Sequence, residues 1–228
     1  MPALILHLET TSTVCSVSLS SDINILSIEE IGGGYYHAEK LHVFIQKVCS
    51  DANVSLSELQ AVSVSSGPGS YTGLRIGMSS AKGLCHALNI PLIGVSTLHA
   101  LCYAARKNEK EKFYVPMLDA RRMEVYFAIY DAELKVIVEP SAFVVDEKSV
   151  KLFQEFEGLT FFGSGVEKCA PLLTPFGKIL DTNTIGHSAK WLIEPALVKF
   201  RNKDFLDLAY CEPEYLKGFF DPGKAQKE

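Results

Sequence analysis

The chain has 228 residues, 47% of them hydrophobic, enough for one large domain or two modest lobes around a sizeable core. Its formal charge of -5, from 22 basic against 27 acidic side chains, argues against an autonomous nucleic-acid binder, and no apolar run reaches the roughly eighteen residues of a membrane span. The six cysteines are scattered and never form C-x-x-C, so reduced, mostly buried thiols are expected; Met1-Pro2-Ala3-Leu4 lacks the charged start of a signal peptide, and a cytoplasmic protein is expected.

In chain order, Leu4-Ile5-Leu6-His7-Leu8 reads as a short apolar strand and Glu9-Thr10-Thr11-Ser12-Thr13 as a polar turn. Cys15, Val17 and Leu19 alternate with serines, which predicts a second strand paired back antiparallel, and Ile23 to Ile31 completes a meander. After Gly32-Gly33-Gly34 the period changes, and Leu41, Phe44, Ile45, Val48 and Ala52 mark one face of a helix. A strand from Val62, the turn Gly67-Pro68-Gly69-Ser70 and a helix from Thr72 follow, the helix apolar at Leu74, Met78, Ala81, Cys85 and Leu88. Gly73 and Gly77 lie on that same side; each costs up to about 1 kcal/mol against alanine in a helix, so both ask for a packing reason. Ile90 to Val95 is a strand, and Ser96 or Thr97 can cap a helix through Arg106.

A meander followed by strand-helix crossovers is the ribonuclease H-like order. The charged run Asn108-Glu109-Lys110-Glu111-Lys112 divides the chain into lobes 1–107 and 108–228. The second half repeats the plan loosely, with strands over Phe113 to Leu118, Glu124 to Tyr130, Val136 to Glu139 and Leu159 to Phe162. Helical stretches are predicted over Val150 to Phe156, after Gly163-Ser164-Gly165, and over Ser188 to Phe200, where Pro195 interrupts or starts the helix. The segment from about 187 to 228 is expected to return towards the first lobe.

Strand, glycine turn and helix N-terminus form a plausible anion cradle, because the first amides of a helix are unpaired. Gly73-Leu74-Arg75 lacks the Gly-Lys-Ser/Thr of a P-loop, and Thr72 stands where the dinucleotide pattern needs a third glycine. A phosphate cradle and a mere tight turn both stay open. Gly69-Ser70-Tyr71 lacks the last glycine of a nucleophile elbow. Arg121 and Arg122, in Asp119-Ala120-Arg121-Arg122, belong to a charged hairpin turn or face a phosphate or partner. His7, His86 and His99 read as packing residues.

The run Ser66-Gly67-Pro68-Gly69-Ser70-Tyr71-Thr72-Gly73-Leu74-Arg75-Ile76-Gly77, with Ala81-Lys82-Gly83-Leu84 and Gly94-Val95-Ser96-Thr97-Leu98 behind it, resembles the TsaB (YeaZ) family. Leu8-Glu9-Thr10-Thr11, His37-Ala38-Glu39-Lys40-Leu41, Asp119 to Tyr126 and Pro213-Glu214-Tyr215-Leu216-Lys217 are similar as well. The resemblance implies a two-lobed α/β fold of the actin-like ATPase, ribonuclease H-like class. It also implies a cytoplasmic accessory subunit for TsaD, which transfers a threonylcarbamoyl group from an adenylate to the adenosine beside the tRNA anticodon. TsaE, an ATPase, would be a further partner, tRNA would be reached only through the complex, and a homodimer would form in isolation.

From the same resemblance, Glu9, Thr10 and Thr11 occupy the phosphate-loop position of actin-like ATPases; the rival reading is an ordinary polar hairpin turn, and the loop lacks glycine. TsaD carries two metal-binding histidines four residues apart on the helix where this chain has His37 and then Leu41. His42, five after His37, sits about 140° away round the helix, so no metal site and no catalytic residue are expected. The chain would need no cofactor of its own, with ATP or ADP at a partner interface left open. The two helices about His37 to Ser50 and Thr72 to Leu88 would meet TsaD or a second copy through His37, Leu41, Val43, Ile45, Gly73, Arg75, Gly77, Met78 and Lys82. The runner-up is an actin-like ATP-dependent phosphotransferase; a metalloprotease-like hydrolase is disfavoured by the missing second histidine.

Overall fold

Strand β1 (Leu4–Glu9) is buried from Ile5 onwards in the computed structural model, which describes residues 2–34, 36–108, 110–181 and 185–217. Its two faces have different tasks because side chains alternate along a strand. Leu6 and Leu8 join the core beneath helices α1 (His37–Asp51) and α2 (Tyr71–Leu88), whereas Ile5 packs with Ala100, Leu192, Ala196 and Leu197 on the opposite side. Strand β2 (Cys15–Ser21) runs antiparallel to β1, pairing Leu6 with Leu19 and Leu8 with Val17, and β3 (Asn24–Ile31) lies outside it. The crossovers through α1 and α2 then deliver β4 (Ala61–Gly67) and β5 (Leu92–Ser96) parallel to β1, giving the order β3-β2-β1-β4-β5. Truncating a core leucine such as Leu6 or Leu41, both 0% exposed, costs about 2–5 kcal/mol.

Helix α3 (Thr97–Asn108) leads to the second sheet. There β6 (Phe113–Asp119), β7 (Glu124–Asp131) and β8 (Val136–Val144) form another meander, and β9 (Leu159–Phe162) and β10 (Gly177–Ile179) add on in parallel. The order β10-β9-β6-β7-β8 repeats that of the first sheet. Two copies of a meander with parallel additions make the two-lobed actin-like ATPase, ribonuclease H-like fold. Crossover helices in this half are short. The stretch read as helical over Val150 to Phe156 is a 3-10 helix, Ser149–Glu155, and only one turn of α-helix, α4 (Ala170–Leu173), precedes β10. Strand β10 has three residues and no legible pattern, and β8 runs five residues past the expected Glu139. Pro140 is tolerated inside β8 because that strand is an edge, where a missing N–H costs no ladder bond.

Helix α5 (Ile193–Asn202) follows a 3-10 turn, Ala189–Leu192, and lies on the first sheet beside α3. Pro195 sits in its first turn, where an amide would have had no partner within the helix. Of the expected boundary and returning tail, Glu109 and residues 218–228 lie outside the described residues. No helix among the described residues is long and apolar enough to cross a membrane.

Candidate functional site

The parallel strands β1, β4 and β5 end on one edge of the first sheet, where open α/β sheets place their sites. Glu9, only 1% exposed, is the hub there. Its Oε1 accepts from the Thr11 amide at 2.7 Å and the Thr11 hydroxyl at 2.5 Å, while its Oε2 accepts from Ser65 Oγ. A buried carboxyl needs such donors to replace water. His187 Nδ1 stands 3.4 Å from Thr11 Oγ1 and 4.0 Å from Glu9 Oε1. Burial lowers the pKa of His187, and the neighbouring Glu9 opposes this only in part.

The loop after β1 is welded to the glycine turn. Ser70 donates its amide to the Thr11 carbonyl at 2.7 Å, and Thr10 Oγ1 donates to the Gly73 carbonyl at 2.8 Å. A Cβ on Gly69 would fall 2.6 Å from the Thr11 carbonyl oxygen. The chain's own loops thus fill the space in front of the α2 N-terminus, and Ser70 Oγ caps that helix by accepting from the Gly73 amide at 3.3 Å. Glu9, Thr10 and Thr11 come together as expected of neighbours, but their polar atoms are spent on one another and on β4 and α2. Arg121 and Arg122 are not part of this group. Both are exposed with φ of 72° and 47° in the β6–β7 turn, and neither guanidinium bonds to Glu9, Thr10 or Thr11 among the described residues. That turn is braced by Asp119, which accepts from the Arg121 amide at 2.8 Å and from Lys168 at 2.5 Å; the Lys168 hydrogen bond holds its carboxyl below the usual range.

Several residues of the expected partner set are buried. His37, Leu41, Ile45 and Met78 are 2%, 0%, 3% and 3% exposed, so they belong to the chain's own interior. Gly73 and Gly77 face inward too: a Cβ would lie 1.9 Å from the Thr10 carbonyl oxygen at the first and 2.3 Å from Thr10 Oγ1 at the second. Their packing reason is the loop after β1. His37 Nε2 donates to the Ser12 carbonyl at 2.8 Å, and His42 Nε2 lies 3.3 Å from Ser80 Oγ between the helices. Among the described residues no three His, Cys, Asp or Glu side chains are grouped to hold a metal. Val43 is 52% exposed, Arg75 is exposed and Lys82 half-buried. Gly83, one turn beyond Ser79 on α2, faces open space with nothing within 4 Å of a Cβ.

The C-terminal segment forms a strap whose individual partners the sequence did not reveal. Leu206 bridges to Leu92 on β5, the Cys211 carbonyl accepts from Lys82 Nζ at 3.0 Å, and the Glu214 amide donates to the Ser66 carbonyl at 2.7 Å. Arg75 lies 4.1 Å over the Tyr71 ring and donates to Tyr215 Oη at 3.2 Å, and Tyr71 and Tyr215 rings pack at 5.3 Å. Lys217 then pairs with Glu124 on β7, so the strap ties the glycine turn of one lobe to the other. The Pro213-to-Lys217 motif was visible within a tail expected to return towards the first lobe, but the residues it meets were not legible. Nothing in the sequence singled out Ser65 as a partner of Glu9, or His187.

The family model "TsaD: tRNA N6-adenosine threonylcarbamoyltransferase" matches residues 30–170. The tRNA threonylcarbamoyladenosine biosynthesis protein TsaB of Escherichia coli K12 is 27% identical over 223 residues, 93% of this chain and 94% of that protein. TsaB of Bacillus subtilis 168 is 30% identical over 194 residues, covering 79% and 80%. In structure, YeaZ from Pseudomonas aeruginosa superposes with a TM-score of 0.77 at 23% identity, over 94% of this chain and 100% of that one, which speaks for the fold. With the Bacillus relative matched over most of both chains and the family model spanning more than half of this one, the chain belongs to the TsaB family of tRNA threonylcarbamoyladenosine biosynthesis proteins.

Proposed function

We propose that this chain is the non-catalytic accessory subunit of a TsaD-type threonylcarbamoyltransferase acting on tRNA, required to shape or stabilise its partner. The observation that carries the reading is the saturation of Glu9: a carboxyl that takes three donors from Thr11 and Ser65 has little left to offer a phosphate-bound cation or an attacking group. Burial also raises the Cys15 and Cys85 thiols to about 11, which keeps them protonated and poorly nucleophilic. No cofactor belongs to this chain alone, although ATP or ADP at a shared interface is compatible with the exposed Arg121 and Arg122.

The partner surface is the exposed ridge of α1 and α2, with Val43 and Gly83 on its crest and Arg75 and Lys82 at its rim. An exposed glycine in a helix interior sacrifices up to about 1 kcal/mol unless another backbone approaches it. The same ridge serves a second copy when TsaD is absent, and TsaE joins the assembled pair. Reconstitution tests the reading: TsaD, tRNA and a threonylcarbamoyl donor with and without this chain. Modified adenosine should appear only with both proteins, and turnover by this chain alone, or ATP hydrolysis abolished by Glu9→Gln, would support the phosphotransferase alternative instead.

A further inference from the structure

We propose that the groove between α3, the α5 entry turn and the β2–β3 hairpin binds single-stranded RNA, taking one unstacked base against Trp191 and the flanking phosphates on Lys107 and Lys190. The groove has a volume of about 160 Å³, and Ile23, Ile25, Tyr103, Lys107, Lys190 and Trp191 line it. Ile23, in the β2–β3 turn, and Ile25, on the edge strand β3, are 64% and 46% exposed, and no segment among the described residues covers them.

Three features favour RNA. The first is cations over rings: the Lys190 ammonium lies 4.8 Å and that of Lys107 5.6 Å over the Trp191 ring centre, and the Arg106 guanidinium 4.9 Å over that of Tyr103. Aromatic rings with mobile cations are the recurrent means of holding single strands: a base that displaces the ammonium takes the π-face, and the cation moves to a flanking phosphate. The second is local charge. Arg106 and Lys107 share the single carboxylate of Glu194, at 3.5 and 3.6 Å, and Lys190 has no ion pair among the described residues, so the groove is basic on a chain whose net charge is -5. The third is a fixed ring: the indole is held by Nε1 donating to the Gly186 carbonyl at 3.1 Å, and the isoleucines line the same groove. An acidic peptide would satisfy the ammonium groups but would bring no flat base to the rings. The polymer's identity as RNA rests on the tRNA reading above, and on this proposal the chain adds one contact of its own to a tRNA held chiefly by its partner.

Trp191 is the only tryptophan, so its fluorescence reports the groove directly. The isolated chain is titrated at low salt with an oligouridylate of about ten nucleotides, a length set by the site sizes of single-strand binders. Quenching that saturates and weakens steeply with added salt is expected. Lys107→Gln with Lys190→Gln should weaken binding about tenfold or more while circular dichroism stays unchanged; Trp191→Phe, read by anisotropy of a labelled oligonucleotide, should retain most binding. No saturable quenching, equal quenching by polyglutamate, or wild-type affinity in the double lysine variant would overturn the proposal, and the polyglutamate result would assign the groove to an acidic peptide. Because RNA binding is read without TsaD, a chain that binds the oligonucleotide yet fails to support modification would overturn the accessory-subunit reading and leave the groove assignment standing.

Discussion

Gly73 and Thr10 are in backbone contact: Thr10 Oγ1 donates to the Gly73 carbonyl at 2.8 Å, and a Cβ on Gly73 would sit 1.9 Å from the Thr10 carbonyl oxygen. Helix α2 can lie on the loop after β1 only because that position has no side chain. Gly73→Ala should therefore cost at least about 3 kcal/mol or prevent folding, since neither backbone can yield without breaking the Glu9 network. Chemical denaturation of Gly73→Ala beside Gly77→Ala checks this. A Gly73→Ala protein as stable as wild type would show that the contact is not required.

Gly83 should respond in the opposite way. With nothing within 4 Å of its Cβ position, Gly83→Ala should stabilise the isolated chain by up to about 1 kcal/mol, raising Tm by about 2–4 °C. Gly83→Trp should leave the monomer folded and block both the homodimer and the complex with TsaD. Size-exclusion chromatography with circular dichroism decides it; an undiminished complex from folded Gly83→Trp would move the partner surface off the α1–α2 ridge.

The strap should be released by a change beneath it. Gly67 has φ +128°, and a Cβ there would meet the Glu214 carbonyl oxygen at 2.6 Å. Gly67→Ala is thus expected to expel the segment around Glu214 and Tyr215, break the Arg75 contact and free Lys217 from Glu124. Limited proteolysis should cut near Tyr210 to Tyr215 faster in the variant than in wild type. Equal cleavage rates would mean that the strap is held by Leu206 and Cys211 alone.

Stability should fall on acidification through the histidine range. Burial lowers His7 to about 3 and His99 to about 4, and lowers His187 as well. Each takes up its proton near pH 6.5 when unfolded but not when folded, so the unfolded state binds more protons below pH 6.5. Their contribution is complete above that pH and is lost as pH falls towards 4, at up to about 1.4 kcal/mol per pH unit per histidine. His7 has only the hydroxyls of Ser63 and Ser20 at 2.7 and 2.8 Å as partners, so no neighbouring charge rescues it. Denaturation midpoints between pH 6.5 and 5 should drop, and His7→Gln should drop less steeply. A flat profile over that window would contradict the burial argument.

Much of the architecture was legible because it rests on local periodicity. The alternation of Cys15, Val17 and Leu19, the apolar stripe Leu41, Phe44, Ile45 and Val48, and the Gly67-to-Ser70 turn each state their element within a few residues. The family followed from the motif run Ser66 to Gly77, which the comparison with Bacillus TsaB bears out. Elements with little periodicity were not legible: β10 is three residues long, and the 3-10 stretch Ser149–Glu155 has the same apolar spacing as an α-helix over so short a span.

Which face of a helix meets what was decided only by tertiary structure. Sequence spacing puts Gly73 and Gly77 on one side of α2 together with Leu74 and Met78, and that side could have faced a partner or the chain's own sheet with equal local logic. The loop after β1 supplies the answer, through Thr10, while Gly83 is the α2 glycine that faces open space. Long-range pairing has the same character. Glu9 with Ser65 and His187, Ser66 with Glu214 and Lys217 with Glu124 join residues 56 to 178 positions apart, and no local pattern encodes such partners because their proximity is created by the order of strands in the two sheets.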